Sequence, residues 1–113
     1  MNKEIKARWV AALRSGVYNQ TRGVLHSENG YCCLGVLCDI HAHETNTPWV
    51  PDAFSFLYAG EINILPTIVL KWAGLKHENP TVKVDGKHEA LSNMNDIQWK
   101  TFVEIADVIE KGP

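Results

Sequence analysis

The chain has 113 residues, 45% of them hydrophobic and 21% charged, with a net charge of −2. This composition excludes a disordered chain and leaves one domain with a real core. The acidic balance excludes nonspecific nucleic-acid binding, which calls for a net basic domain. No apolar run approaches the ~18 residues that span a bilayer, so no membrane partner is expected. The N-terminus lacks the apolar segment of a signal peptide, and the three cysteines form no disulfide framework. The expectation is a single cytoplasmic domain over residues 1–113 with reduced thiols.

Residues 2–15 read as an amphipathic helix, with Ile5, Trp9, Ala12 and Leu13 on one side and Lys3, Lys6 and Arg14 beside it. Gly16 suits the left-handed position after its end. Residues 17–22 form a polar loop with Tyr18, Asn19, Gln20 and Arg22. Short extended runs at 23–26 and 31–32 surround Asn29-Gly30, a hairpin signal. The chain then enters its most apolar stretch. Cys33, Val36, Leu37 and Ile40 recur at helical spacing, and Leu34, Cys38 and His41 widen that face. A helix apolar almost all round belongs inside a core, so residues 33–42 are read as a buried central helix. Gly35 and Asp39 form its open strip, where another backbone or a ligand can approach the Asp39 carboxylate.

Residues 43–52 read as a loop with Pro48 and Pro51, and 54–64 as either a short helix or a strand at 61–64. Leu65-Pro66 opens a helix that Gly74 ends, with Leu75 folding back on Leu70. Residues 80–84 and 87–88 flank Asp85-Gly86 as a second hairpin, and 89–95 read as one or two helical turns. Thr101 and Glu104 form a capping box for a last helix with Phe102, Ile105, Ala106 and Ile109 on one stripe. The predicted fold is α+β, mainly helical. Four to five short helices pack around the central helix, with two small β-hairpins.

Several constellations could carry chemistry. Arg14, Tyr18, Gln20 and Arg22 follow helix one and offer guanidinium forks for phosphate, an aromatic face and an amide for a base edge. Asp39, Asn95 and Asp96 supply further polar groups, and Trp49, in a Pro-flanked loop, is the exposed stacking candidate. Trp9, Trp72 and Trp99 are read as core or rim packing. Cys32 near a helix start, with His88 and Asn95 downstream, follows the chain order of papain-like hydrolases. The alternative for the thiols is burial as small hydrophobes, which is expected for Cys33 and Cys38. Adjacent cysteines followed by a gap to Cys38 do not match zinc spacing, and no Gly-rich phosphate loop is present. No metal and no cofactor are expected.

Four runs then carry a resemblance: Trp-x3-Leu-Arg-Ser-Gly-x-Tyr-x-Gln (9–20), Gly-Tyr-Cys-Cys-Leu-Gly-Val-Leu-Cys-Asp (30–39), Leu-Pro-x5-Trp-Ala-Gly-Leu (65–75), and Leu-Ser-x2-Asn-Asp with Phe-x-Glu-Ile-Ala-x2-Ile-Glu (91–110). The chain resembles small uncharacterised accessory proteins of tailed phages and prophages. That resemblance implies a bacterial host cytoplasm and a non-structural role such as antagonism of host defence. The functional expectation is a non-catalytic binder that sequesters a nucleotide-like anionic small molecule, as a homo-oligomer. The alternatives are an inhibitor that binds a host defence protein through the acidic C-terminal face, and a cysteine-dependent hydrolase using Cys32, His88 and Asn95.

Overall fold

Helix α1 (Lys3–Arg14) begins where the Asn2 side chain accepts the Ile5 amide at 3.0 Å. That bond satisfies one of the amides a helix start leaves unpaired. The computed structural model describes residues 1–112, an α+β fold of five helices and two small antiparallel sheets. Ile5, Trp9, Val10 and Leu13 form the buried face of α1, which packs on α5 (Phe102–Lys111). The α5 start is a complete capping box: Thr101 Oγ1 accepts the Glu104 amide, and the Glu104 carboxylate accepts the Thr101 amide. Its stripe of Phe102, Ile105, Ala106 and Ile109 is buried as its spacing predicts.

Helix α2 (Cys33–Thr45) is the centre of the molecule, and every residue from Cys33 to Ala42 is buried. It runs three residues beyond the predicted 42 because Asn46, at φ 57°, supplies the left-handed stop. Trp9 lies fully buried against its first turn and donates its indole N–H to Cys33 O at 2.9 Å. Gly35 explains how tightly this end is packed. A Cβ there would lie 1.8 Å from Leu25 O, so the open strip predicted on α2 admits a neighbouring backbone.

The first hairpin pairs β1 (His26–Ser27) with β2 (Gly30–Tyr31), and it is part of something larger than predicted. Strands β3 (Val50–Asp52) and β4 (Ser55–Leu57) pair with each other, and β4 joins β1 to give the order β2-β1-β4-β3. Residues 50–52 are therefore a strand where a loop was expected, and the strand in the ambiguous 54–64 segment lies at 55–57, not 61–64. Pro51 sits in the edge strand, where a missing N–H is tolerated.

Helix α3 (Thr67–Ala73) starts after Pro66 and ends at Gly74, and the Leu75 amide returns to Leu70 O at 3.0 Å. The second sheet is the hairpin of β5 (Thr81–Val84) and β6 (Lys87–Ala90) around Asp85-Gly86, both at positive φ. Strand β6 continues to Ala90, so α4 (Leu91–Asp96) begins later than the predicted turns at 89. No helix among the described residues is long and apolar enough to cross a membrane.

Candidate functional site

The loop at 18–22 lies between two junctions, and each takes a share of the residues singled out in the sequence. The first is centred on Asp39, buried in the middle of α2. Its Oδ2 accepts the Tyr18 hydroxyl at 2.6 Å, and its Oδ1 accepts the Trp49 indole N–H at 3.0 Å. Burial, then the bond to Asp39, push the Tyr18 phenol far up, so it stays a donor. Around this carboxylate the aromatic rings are continuous. His26 stacks on Tyr31 at 3.8 Å and on Phe56 at 4.4 Å, and Trp49 packs on Tyr58 at 4.8 Å. The network clamps the 18–22 loop and the 46–50 segment onto α2. Trp49, expected as an open stacking surface, is half-buried with its N–H engaged.

The second junction lies at the N-terminus of α2. Asn95 is fully buried and uses its whole amide. Its Oδ1 accepts Gln20 Nε2 at 2.8 Å and the Cys33 amide at 3.2 Å, while its Nδ2 donates to Thr21 O and Asp96 Oδ1, both at 2.8 Å. Gln20 Nε2 also donates to Lys100 O at 2.8 Å. Asn95 thus caps α2 from another element, and the Cys32 Sγ caps it locally by accepting the Gly35 amide at 3.4 Å. Cys32 is 4% exposed, and burial pushes its thiol up to about 12. Burial raises Cys33 and Cys38 well above the ordinary thiol value too. A nucleophilic thiol needs exposure and a lowered pKa, so these positions lend the hydrolase alternative no support. His88 is an exposed residue of β6 opposite Lys83, and Asn95 is consumed by packing.

What the second junction supports is an open surface. The α4–α5 connection folds back on α4: the Ile97 and Gln98 amides donate to Asn93 O at 2.9 and 3.0 Å, and the Lys100 amide to Met94 O at 3.0 Å. Reversing the chain here requires a left-handed residue, and Trp99 takes it at φ 56°. Glycine is the usual choice at such a position, and positive φ in a bulky residue is an outlier. Trp99 is also 67% exposed, which makes it the exposed indole among the described residues and rules out the core half of its reading as core or rim packing. The Arg22 guanidinium carbon lies 3.9 Å from its ring centroid, and the buried Arg22 Nε has no hydrogen-bond partner.

Of the anion-binding set read from the sequence, the structure brings Gln20, Arg22, Asn95 and Asp96 together and adds Trp99 and Lys100. It takes Tyr18, Asp39 and Trp49 to the first junction. Arg14 goes elsewhere: its guanidinium bonds Asp107 at 2.7 Å and Glu110 at 2.9 Å on α5. Arg8 is likewise paired, with Glu44 at 3.0 Å. Among the described residues, Arg22 is the arginine without an ion pair. Also among them, no three His, Cys, Asp or Glu side chains are grouped to hold a metal ion. Sequence reasoning missed Trp99 because nothing local marks its exposure.

No curated protein and no solved structure matches the chain. The model of one family, described as Domain of unknown function (DUF8296), matches residues 1–112, and the chain belongs to that family.

Proposed function

We propose that this protein is a non-catalytic binder of phage-type accessory character, acting in a bacterial host cytoplasm by sequestering a nucleotide-like anionic small molecule. The observation that carries this reading is Trp99, held exposed in a left-handed conformation with the Arg22 guanidinium against its ring. A left-handed bulky residue costs on the order of 1 kcal/mol or more, and such strain clusters at binding sites. An exposed indole accepts a nucleobase on its face irrespective of base identity. A guanidinium without a carboxylate partner is free to take a phosphate, preferring its planar, bidentate geometry. The rest of the junction is already satisfied, so ligand binding needs no reorganisation of α2 or α4.

A thermal-shift series with mono-, di- and cyclic nucleotides tests this reading, because a ligand of the folded state alone raises its stability by mass action. Arg22→Ala should weaken the binding about 10- to 100-fold, the loss of one charge-assisted hydrogen-bond pair. Arg14→Ala should leave it unchanged, since that side chain is engaged by α5. Absence of a shift with every nucleotide, or unchanged binding in Arg22→Ala, would count against the reading.

A second reading, a protein-binding inhibitor, is favoured by Ile97 at 70% and Val103 at 52% exposure, neighbours of Trp99 in sequence. Trp and Arg are among the residue types enriched at interface anchors. Self-association into a homo-oligomer belongs to the same proposal and is read by light scattering.

A further inference from the structure

The Asp39 junction is satisfied in hydrogen bonds but not in charge. Its two close donors, Tyr18 and Trp49, are neutral, and a neutral donor leaves a carboxylate with its full negative charge. The titratable groups that feel its charge besides Tyr18, namely Tyr31, Tyr58 and the Cys38 thiol, are raised first of all by burial, so they too stay neutral. Among the described residues the one ion-pair partner of Asp39 is His43 Nε2, at 3.3 Å. That imidazole is 80% exposed, whereas the carboxylate is 9% exposed. A nearly buried charge calls for a counter-charge, and an exposed imidazole carries one only when protonated. The carboxylate lines a groove of about 260 Å³ whose walls include His43, Asn46, Thr47, Pro48 and Trp49.

We propose that this groove is a binding site for a primary ammonium group, such as a lysine side chain, which takes the place of His43 on Asp39. The geometry selects the class of ligand. With Oδ1 and part of Oδ2 already engaged, one approach remains, the one His43 uses. A point charge on a slim aliphatic stem fits it, whereas a bidentate guanidinium fork needs both oxygens free. A calcium or magnesium ion needs several oxygen ligands, and the groove's carboxylate supplies one side chain. The Trp49 ring supplies an aromatic wall to the stem and its charged head. The site is independent of the Arg22–Trp99 surface: its ligand is a cation, and its residues are different.

The Trp49 indole N–H, bonded to Asp39, is a built-in reporter. Its NMR signal, assigned with Trp49→Phe, is followed while n-butylammonium chloride is added, with n-butanol as the neutral isostere. A tripeptide with a central lysine distinguishes a protein-borne amine from a free one, and binding of either supports the site. The expected result is a saturable shift with the amine and not the alcohol, lost in Asp39→Asn. His43→Ala should bind about two- to fivefold tighter, because the intramolecular competitor is gone. His43→Ala alters an exposed side chain, so it remains decisive if Asp39→Asn fails to fold. An unmoved Trp49 signal, an equal response to butanol, or unchanged affinity in His43→Ala would overturn the proposal.

Discussion

Gln20 and Arg22 leave the same short loop and end in opposite surroundings. Gln20 is drawn into a sealed junction in which its amide, the whole of Asn95, the Cys33 amide and Lys100 O complete one another. Arg22 lies half-buried at the edge of that junction, with an exposed indole against its guanidinium, a buried Nε without a partner and, among the described residues, no acid paired with it. The difference separates two uses of polar side chains. Where a polar group is buried, leaving it unpaired is costly, so the Asn95 amide is matched at both ends and its chemistry is used up in holding the fold. Where the neighbouring backbone is held in a costly conformation and its side chain is displayed, the internal gain is one exposed ring–guanidinium contact, which only offsets that cost.

Mutations on the sealed side should be the most damaging. Gly35→Ala places a methyl group 1.8 Å from Leu25 O, and backbone cannot retreat as a flexible side chain would. The expected loss is on the order of 4 kcal/mol or more, enough to prevent folding, as read by denaturant melts. Asn95→Ala leaves the buried Cys33 amide and the half-buried Thr21 O without their partner and takes one of two from Gln20 Nε2. A loss of about 2 to 3 kcal/mol is expected, one unmet buried amide plus the weaker loss of the half-buried bonds. If either variant were as stable as the parent, the junction would not be the sealed element described.

Much of this side was legible in the sequence, and the reasons are local. The buried run at 33–42, the Thr101–Glu104 capping box and the Asp85-Gly86 turn depend on residues close in the chain, and each is found where predicted. The four-stranded sheet was not legible, because β3 and β4 are short, contain a proline and owe their place to pairing with β1. The site was read in part. Gln20, Arg22, Asn95 and Asp96 were singled out as polar residues, but nothing in their spacing could show that Asn95 would be consumed as a helix cap. Trp49 looked exposed between prolines, yet its indole N–H found Asp39. Trp99 occupies a turn position whose usual residue is glycine, so its display is invisible until the backbone is known.

A third test acts on the sealed side through pH. Burial holds the Cys32 thiol proton in the folded state to about 12, while the unfolded chain releases it in the ordinary thiol range. Stability from this group is therefore complete below about 8.5 and declines as pH rises, by about 1.4 kcal/mol per pH unit per buried thiol. Cys32→Ser keeps an acceptor for the Gly35 amide and removes the titration. Its stability at pH 7 should lie within about 1 kcal/mol of the parent, with a shallower alkaline decline. An identical alkaline slope would mean that the thiol is not buried as described.

The smallest effect on stability should come from the open side, and it is also the most informative. Trp99→Gly relieves a strained backbone and forfeits one exposed ring–guanidinium contact, two terms of about 1 kcal/mol each and opposite sign. Paired measurements on this variant, its unfolding midpoint and its calorimetric titration with the nucleotide giving the largest shift in the parent, test the central claim most directly. The account predicts a midpoint equal to or above that of the parent and no detectable binding heat, the mark of a residue kept in a costly conformation for its ligand. A variant that binds the nucleotide as tightly as the parent would contradict it and place the ligand away from Trp99.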